Sequence, residues 1–214
     1  MTDKQISFGL STPRVAAMLS ELAEEDSRFK KAIATAGMPA ERKSSPGMAT
    51  LIRIIIGQQV STRAAASIAG RLFDLIGETP DPAYILSQSD EALRAAGLSR
   101  AKVLYVQCLA EAIGSGTLDL DGLGGLPDED AVAALTAIKG FGRWSAEMYL
   151  MFALGRPDIW PVGDLAVRIG TARILGLDNP RPAPKDLEAL SHPWRPKRSA
   201  VALLAWHYQN NVPL

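Results

Sequence analysis

Apolar residues recur at three- and four-residue spacing along almost the whole chain, and no run of Val, Ile, Thr or aromatic residues alternates strictly between turn residues. The fold is therefore expected to be all-α, punctuated by residues that stop helices. Thr12-Pro13 reads as an N-cap followed by a first-turn proline, and the pattern then runs to about Ala36 before Gly37, Pro39, Pro46 and Gly47 interrupt it. The run Leu51-Ile52-Arg53-Ile54-Ile55-Ile56 is too apolar for a surface helix and predicts a buried one. Gly57-Gln58-Gln59 breaks it, and Ser61 caps the next helix, which carries Ala64, Ile68 and Leu72. Helices are expected over 90–96 and 100–113, after which glycines at 114, 116, 122, 124 and 125 mark a long loop. The pattern resumes near Asp128, again at Asp164 after Gly155 and Pro157, and last over 197–210 beyond a proline-rich connection at 180–184. No internal repeat of fixed period is present.

A chain of 214 residues can bury one large core or build two small lobes. No stretch reaches the ~18 uncharged apolar residues of a membrane span, and Met1-Thr2-Asp3-Lys4 lacks the basic-then-apolar profile of a secretory signal. A cytoplasmic protein with no membrane partner is expected. The single cysteine, Cys108, excludes an intramolecular disulfide and a four-thiolate zinc or iron–sulfur site, and His192 and His207 stand in unrelated contexts. Lys and Arg total 23 against 23 Asp and Glu, so bulk charge announces no polyanionic partner, yet the distribution is uneven. Residues 115–130 carry five acids and no base, whereas 181–198 hold Arg181, Lys185, Arg195, Lys197 and Arg198 against Asp186 and Glu188.

The most informative segment is Leu135-Thr136-Ala137-Ile138-Lys139-Gly140-Phe141-Gly142-Arg143-Trp144-Ser145-Ala146, where two glycines interrupt a helical pattern that continues on both sides. Gly140 and Gly142 permit positive φ and close approach of another backbone, and the second helix offers unpaired N–H groups at its positive dipole end. Such a turn can hold a phosphate, although the glycines alone fit a tight αα-hairpin equally well. The wording resembles the DNA-binding hairpin of the helix-hairpin-helix DNA glycosylase superfamily, with Lys139 in place of a proline. The resemblance implies duplex DNA as partner, with Lys139, Gly140, Phe141, Gly142 and Arg143 against its backbone. It requires no cofactor and places a sodium or potassium ion on the Ile138 and Phe141 carbonyls.

About twenty residues on stands Trp160-Pro161-Val162-Gly163-Asp164-Leu165-Ala166-Val167-Arg168. From position alone Asp164 is a helix N-cap or first-turn acid. In the same superfamily an aspartate here is catalytic, and the two readings agree, because a carboxylate at a helix start is a fixed negative charge. Such a charge stabilises the positive sugar that develops as an N-glycosidic bond breaks, and can orient the attacking water. Relatives that also cut the strand form a Schiff base through a lysine at the position of Trp144, so Gly142-Arg143-Trp144 points to simple hydrolysis. So does the absence of a cysteine cluster.

The segments Ile55 to Ser61, Gly142-Arg143-Trp144 and Pro193 to Ser199 together resemble the alkylation-repair branch, the bacterial DNA-3-methyladenine glycosylase II family. That resemblance implies cationic alkylated purines held against aromatic rings, with Trp144, Trp160 and Met148 at the base pocket. It puts Gln58 and Gln59 in the gap left by the flipped base, where some relatives use leucine. Ser61, Lys102 and Arg198 are further candidates for phosphate contact. Residues 48–145 are expected to form a central helical lobe ending in the hairpin, with 1–47 and 146–214 as a second lobe and a groove between them. The expectation is a compact, monomeric enzyme without the N-terminal β domain of larger relatives. Uracil, hypoxanthine or a mismatched base is the alternative substrate, and a non-catalytic damage-binding module the alternative class.

Overall fold

The computed structural model describes residues 10–213, and among these the chain is helical with no β-strand. No helix among them is long and apolar enough to cross a membrane. The helices fall into two compact units, one of residues 44–153 and one joining residues 10–43 with 154–213.

The discontinuous unit holds α1 (Thr12–Glu25), α2 (Ser27–Ala36), α10 (Leu165–Leu175), α11 (Pro184–Leu190) and α12 (Arg198–Asn211). The helix expected over 12–36 is divided at Asp26, whose extended backbone (φ −139°) stops α1 and whose carboxylate accepts the Arg28 N–H at 2.9 Å to start α2. A cap wins here over an uninterrupted apolar pattern. The proline-rich connection is shorter than expected, because Pro184 sits in the first turn of α11, where its missing N–H costs nothing. Leu19, Leu22, Phe29, Val167, Leu187 and Leu204 form a solvent-free core. Helices α10 and α12 pack so closely that a Cβ at Gly170 would collide with the Ala205 carbonyl oxygen.

The continuous unit holds α3 (Met48–Gly57), α4 (Thr62–Ile76), α5 (Pro82–Ser87), α6 (Asp90–Ala95), α7 (Arg100–Gly114), α8 (Asp128–Thr136) and α9 (Arg143–Phe152). Helix α3 lies at its centre, with Leu51, Ile52, Ile55 and Ile56 fully buried against α4, α7 and α9. Each contributes about 1.5–3 kcal/mol of burial. Helix α5 goes beyond the sequence reading, though Asp81-Pro82 carries the same cap-then-proline signal as Thr12-Pro13 and Asp81 accepts the Tyr84 N–H at 2.9 Å. The unit runs from Ser44 to Ala153, where 48–145 was expected, because α9 packs on α3 and α8.

Candidate active site and nucleic-acid interface

In the continuous unit, α8 and α9 are joined by the expected hairpin. Gly140 has φ +96°, and the ring of Tyr105 on α7 fills the space a Cβ there would need, so both conformation and packing demand glycine. Gly142 does not take the positive φ allowed to it: it is extended (φ −95°) and a Cβ would meet nothing. It is the N-cap of α9 with no side-chain cap, so the first N–H groups of α9 lie behind bare, exposed backbone. Lys139 is exposed beside them. Ile138 and Phe141 bury their side chains, leaving only their backbones to an outside partner, and the Ile138 carbonyl accepts the Phe141 N–H at 3.0 Å to close the turn.

Three residues placed on DNA by the sequence reading have internal work in the structure. Arg143 pairs bidentately with Glu129 (2.7 and 2.9 Å) and reaches Glu147 at 3.0 Å, contacts that push its pKa up, so its charge is answered within the fold. Lys102 donates from Nζ to the Ile56 and Gln58 carbonyls at 2.7 and 2.9 Å, closing the C-terminal end of α3. Burial there lowers its pKa. Gln58, expected in the gap, is bonded within the fold: Nε2 donates to the Gly140 carbonyl at 2.9 Å and to Ser145 Oγ at 3.2 Å. Gln59 differs from its neighbour, being exposed and the one non-glycine residue with positive φ (+56°) among the described residues. Ser61 caps α4, accepting the Ala64 N–H at 3.2 Å.

Trp144, one residue into α9, is 40% exposed, whereas Met148 on the next turn is 6% exposed. An accessible indole at a helix start is a surface on which a base can stack. Trp160 does not share that role. It is buried in the discontinuous unit, edge-on to Trp194 at 5.5 Å, and Trp194 meets Phe29 in the same manner at 5.6 Å. The proline at 161 and this aromatic cluster turn Trp160 into core.

Asp164 caps α10. Its Oδ1 accepts the Ala166 and Val167 N–H groups at 2.8 and 3.0 Å and the Trp206 indole N–H at 3.1 Å. The Gly170–Ala205 contact explains the third bond, since it holds α12 close enough to bring Trp206 beside the cap. From sequence Trp206 reads equally well as core packing, whereas Gly170 inside an apolar helix signals the close backbone approach that brings it here. Arg198 is 7% exposed and belongs to this scaffold instead of facing phosphate: it pairs with Asp158 at 2.8 and 2.9 Å and with Glu188 at 3.3 Å. Ser199 Oγ accepts the Ile159 N–H at 2.9 Å and donates to the Arg156 carbonyl at 2.7 Å. Arg198-Ser199 thus anchors the segment that leads into Asp164. Among the described residues no cluster of His, Cys, Asp and Glu could hold a metal ion.

Two helix starts, one bare behind a glycine hairpin and one capped by a rigid aspartate, coincide with a known family. Residues 52–196 match the HhH-GPD superfamily of base excision DNA repair proteins, and the chain belongs to that superfamily. Within it, DNA-3-methyladenine glycosylase 1 of Schizosaccharomyces pombe is 34% identical over 161 residues, covering 73% of this chain and 69% of that one. The structure of the 3-methyladenine DNA glycosylase of the same yeast in complex with abasic DNA superposes with TM-score 0.79 at 30% identity, over 90% of this chain and 95% of that one. A DNA-3-methyladenine glycosidase from Bacillus halodurans gives TM-score 0.77 at 35% identity, over 88% and 87% of the two chains.

Proposed function

We propose that the chain is a monofunctional DNA glycosylase, hydrolysing the N-glycosidic bond of alkylated purines such as 3-methyladenine and 7-methylguanine after flipping the base from duplex DNA. The observation that carries this reading is Asp164, a helix-capping carboxylate whose Oδ1 is held by three N–H donors. As the bond to the purine lengthens, positive charge grows on the sugar, and a rigid carboxylate stabilises it without reorganising. An N-alkylated purine is already cationic and leaves as a neutral base, so it needs little help from a general acid. Asp164 orients the water that adds at C1′. Trp144 offers the cation a π-face. With Trp144 in place of a lysine, no amine is present there to form a Schiff base, and the strand stays intact.

On this reading the exposed Lys139 and the positive dipole end of α9 behind Gly142 take a DNA phosphate, and Gln59 fills the gap in the stack. The Ile138 carbonyl keeps a second lone pair beyond its bond to Phe141, so with the Phe141 carbonyl it suits a sodium or potassium ion, which would add positive charge facing the same phosphate.

Single-turnover release of 3-methyladenine, 7-methylguanine, hypoxanthine and uracil tests the reading on the native chain and Asp164→Asn, which keeps an acceptor oxygen for the cap but removes the charge. The native chain is expected to release alkylated bases, and the variant to do so about 10²–10³-fold more slowly with DNA binding intact. A variant as fast as the native protein removes Asp164 from the chemistry. A native protein that binds damaged duplex and releases nothing is a damage-binding module.

A further inference from the structure

The turn between α3 and α4 and the hairpin between α8 and α9 are far apart in sequence, yet three side chains lock them together. Gln58 makes the link directly, through Nε2 to the Gly140 carbonyl and Ser145 Oγ. Helix α7 makes it again from one face. Lys102 Nζ holds the Ile56 and Gln58 carbonyls, and Tyr105, three residues on, lies under Gly140 in the space a side chain there would occupy. The backbone of Gln58 is thus held by α7 while its side chain holds the hairpin. The residue immediately after it, Gln59, is pushed into the left-handed region and left exposed. A non-glycine residue in that conformation persists only where its surroundings over-determine it, and the bonds to Gln58 do so.

We propose that Gln58 is a positioning residue for base flipping: it sets the register between Gln59 and the phosphate-holding hairpin, so that gripping the backbone and filling the gap are one rigid operation. This rests on the glycosylase reading, which assigns DNA as the partner, the hairpin to phosphate and Gln59 to the gap. If the link were slack, the hairpin could bind phosphate while Gln59 missed the gap, and affinity would survive while flipping failed.

The test uses the full chain and Gln58→Met, which keeps length and volume but cannot donate, beside Gln59→Ala and the double variant. Two readouts are taken on the same duplex, which carries a tetrahydrofuran abasic site flanked by 2-aminopurine. Anisotropy reports affinity, and 2-aminopurine fluorescence reports local unstacking, with no dependence on base release. Gln58→Met is expected to keep affinity within about threefold and to lose most of the fluorescence change. It should slow release of 7-methylguanine about tenfold, and the double variant should be no worse than Gln59→Ala alone, because one residue acts through the other. Additive losses, equal falls in affinity and fluorescence, or an unchanged Gln58→Met each overturn the proposal. So does a native protein that binds no duplex. A native protein that unstacks the probe but releases no base defeats the glycosylase reading and leaves the fluorescence comparison to decide the role of Gln58.

Discussion

Helices α9 and α10 both bring a positive dipole end to the surface, and they treat it in opposite ways. At α9 the cap is Gly142, which has no side chain to cap the helix, so its start lies behind exposed backbone. At α10 the cap is Asp164, whose carboxylate takes the N–H groups of Ala166 and Val167 for itself. The first arrangement suits an anion that arrives from outside, such as a phosphate. The second fixes an internal anion in one orientation. The same backbone physics therefore yields a binding element and a chemical element, and the difference lies in one side chain at each helix start.

The supports differ in kind as well. The hairpin at α9 is held by neutral amide bonds from Gln58 and by the ring of Tyr105, whereas the approach to α10 is held by ions, with Arg198 enclosed by Asp158 and Glu188. If that contrast is right, Arg198→Met leaves Asp158, only 14% exposed, with Arg195 alone as its ionic partner and lowers unfolding free energy by about 1.5–3 kcal/mol. Denaturant titration measures this. The slope of log affinity against log salt should not change, whereas loss of a phosphate-contacting cation would reduce it by about one.

Gly142→Asp would erase the distinction between the two helix starts. Its φ of −95° and open surroundings admit the side chain without strain. The new cap should stabilise the protein by about 0.5–1 kcal/mol while weakening duplex binding about 10–100-fold, since it consumes the N–H groups and opposes phosphate. A variant that melts higher and binds DNA as well as the native chain would show that the bare start of α9 is not where phosphate docks.

The smallest effect concerns Lys197, at the start of α12. Glu21 and Glu25 of α1 hold its pKa above the usual lysine value. A raised folded pKa means that the contribution is complete below about pH 10.5 and is lost as pH climbs through the folded value. Both glutamates are more than half exposed, so the contribution is a few tenths of a kcal/mol. Comparing the alkaline arms of melting curves for native protein and Lys197→Met measures it; identical arms would mean that solvent screens the pair completely.

Local signals were legible from the residues. Helical class, the hairpin, the Ser61 cap and the position of Asp164 depend on patterns that act over three or four residues, and all lie in the structure where those patterns put them. The same kind of signal marks the caps at Asp26, inside a continuous apolar pattern, and at Asp81, before a helix of only six residues. The partners of the cations were not local. Lys102, Arg143 and Arg198 looked like phosphate ligands by type, but a cation's role depends on what reaches it. Here carbonyls and carboxylates from elsewhere in the chain reach it first.

What the residue order dictated was the kind of element and the identity of the groups able to do chemistry, because periodicity, capping and glycine freedom are properties of neighbours. What folding added was the pairing of those groups. Gln58 meets Gly140 across 82 residues, Arg198 meets Asp158 across 40, and Trp206 meets Asp164 across 42. Hydrogen bonds and ion pairs are short-ranged, so which of two adjacent glutamines is a strut and which is exposed follows only once distant segments have packed.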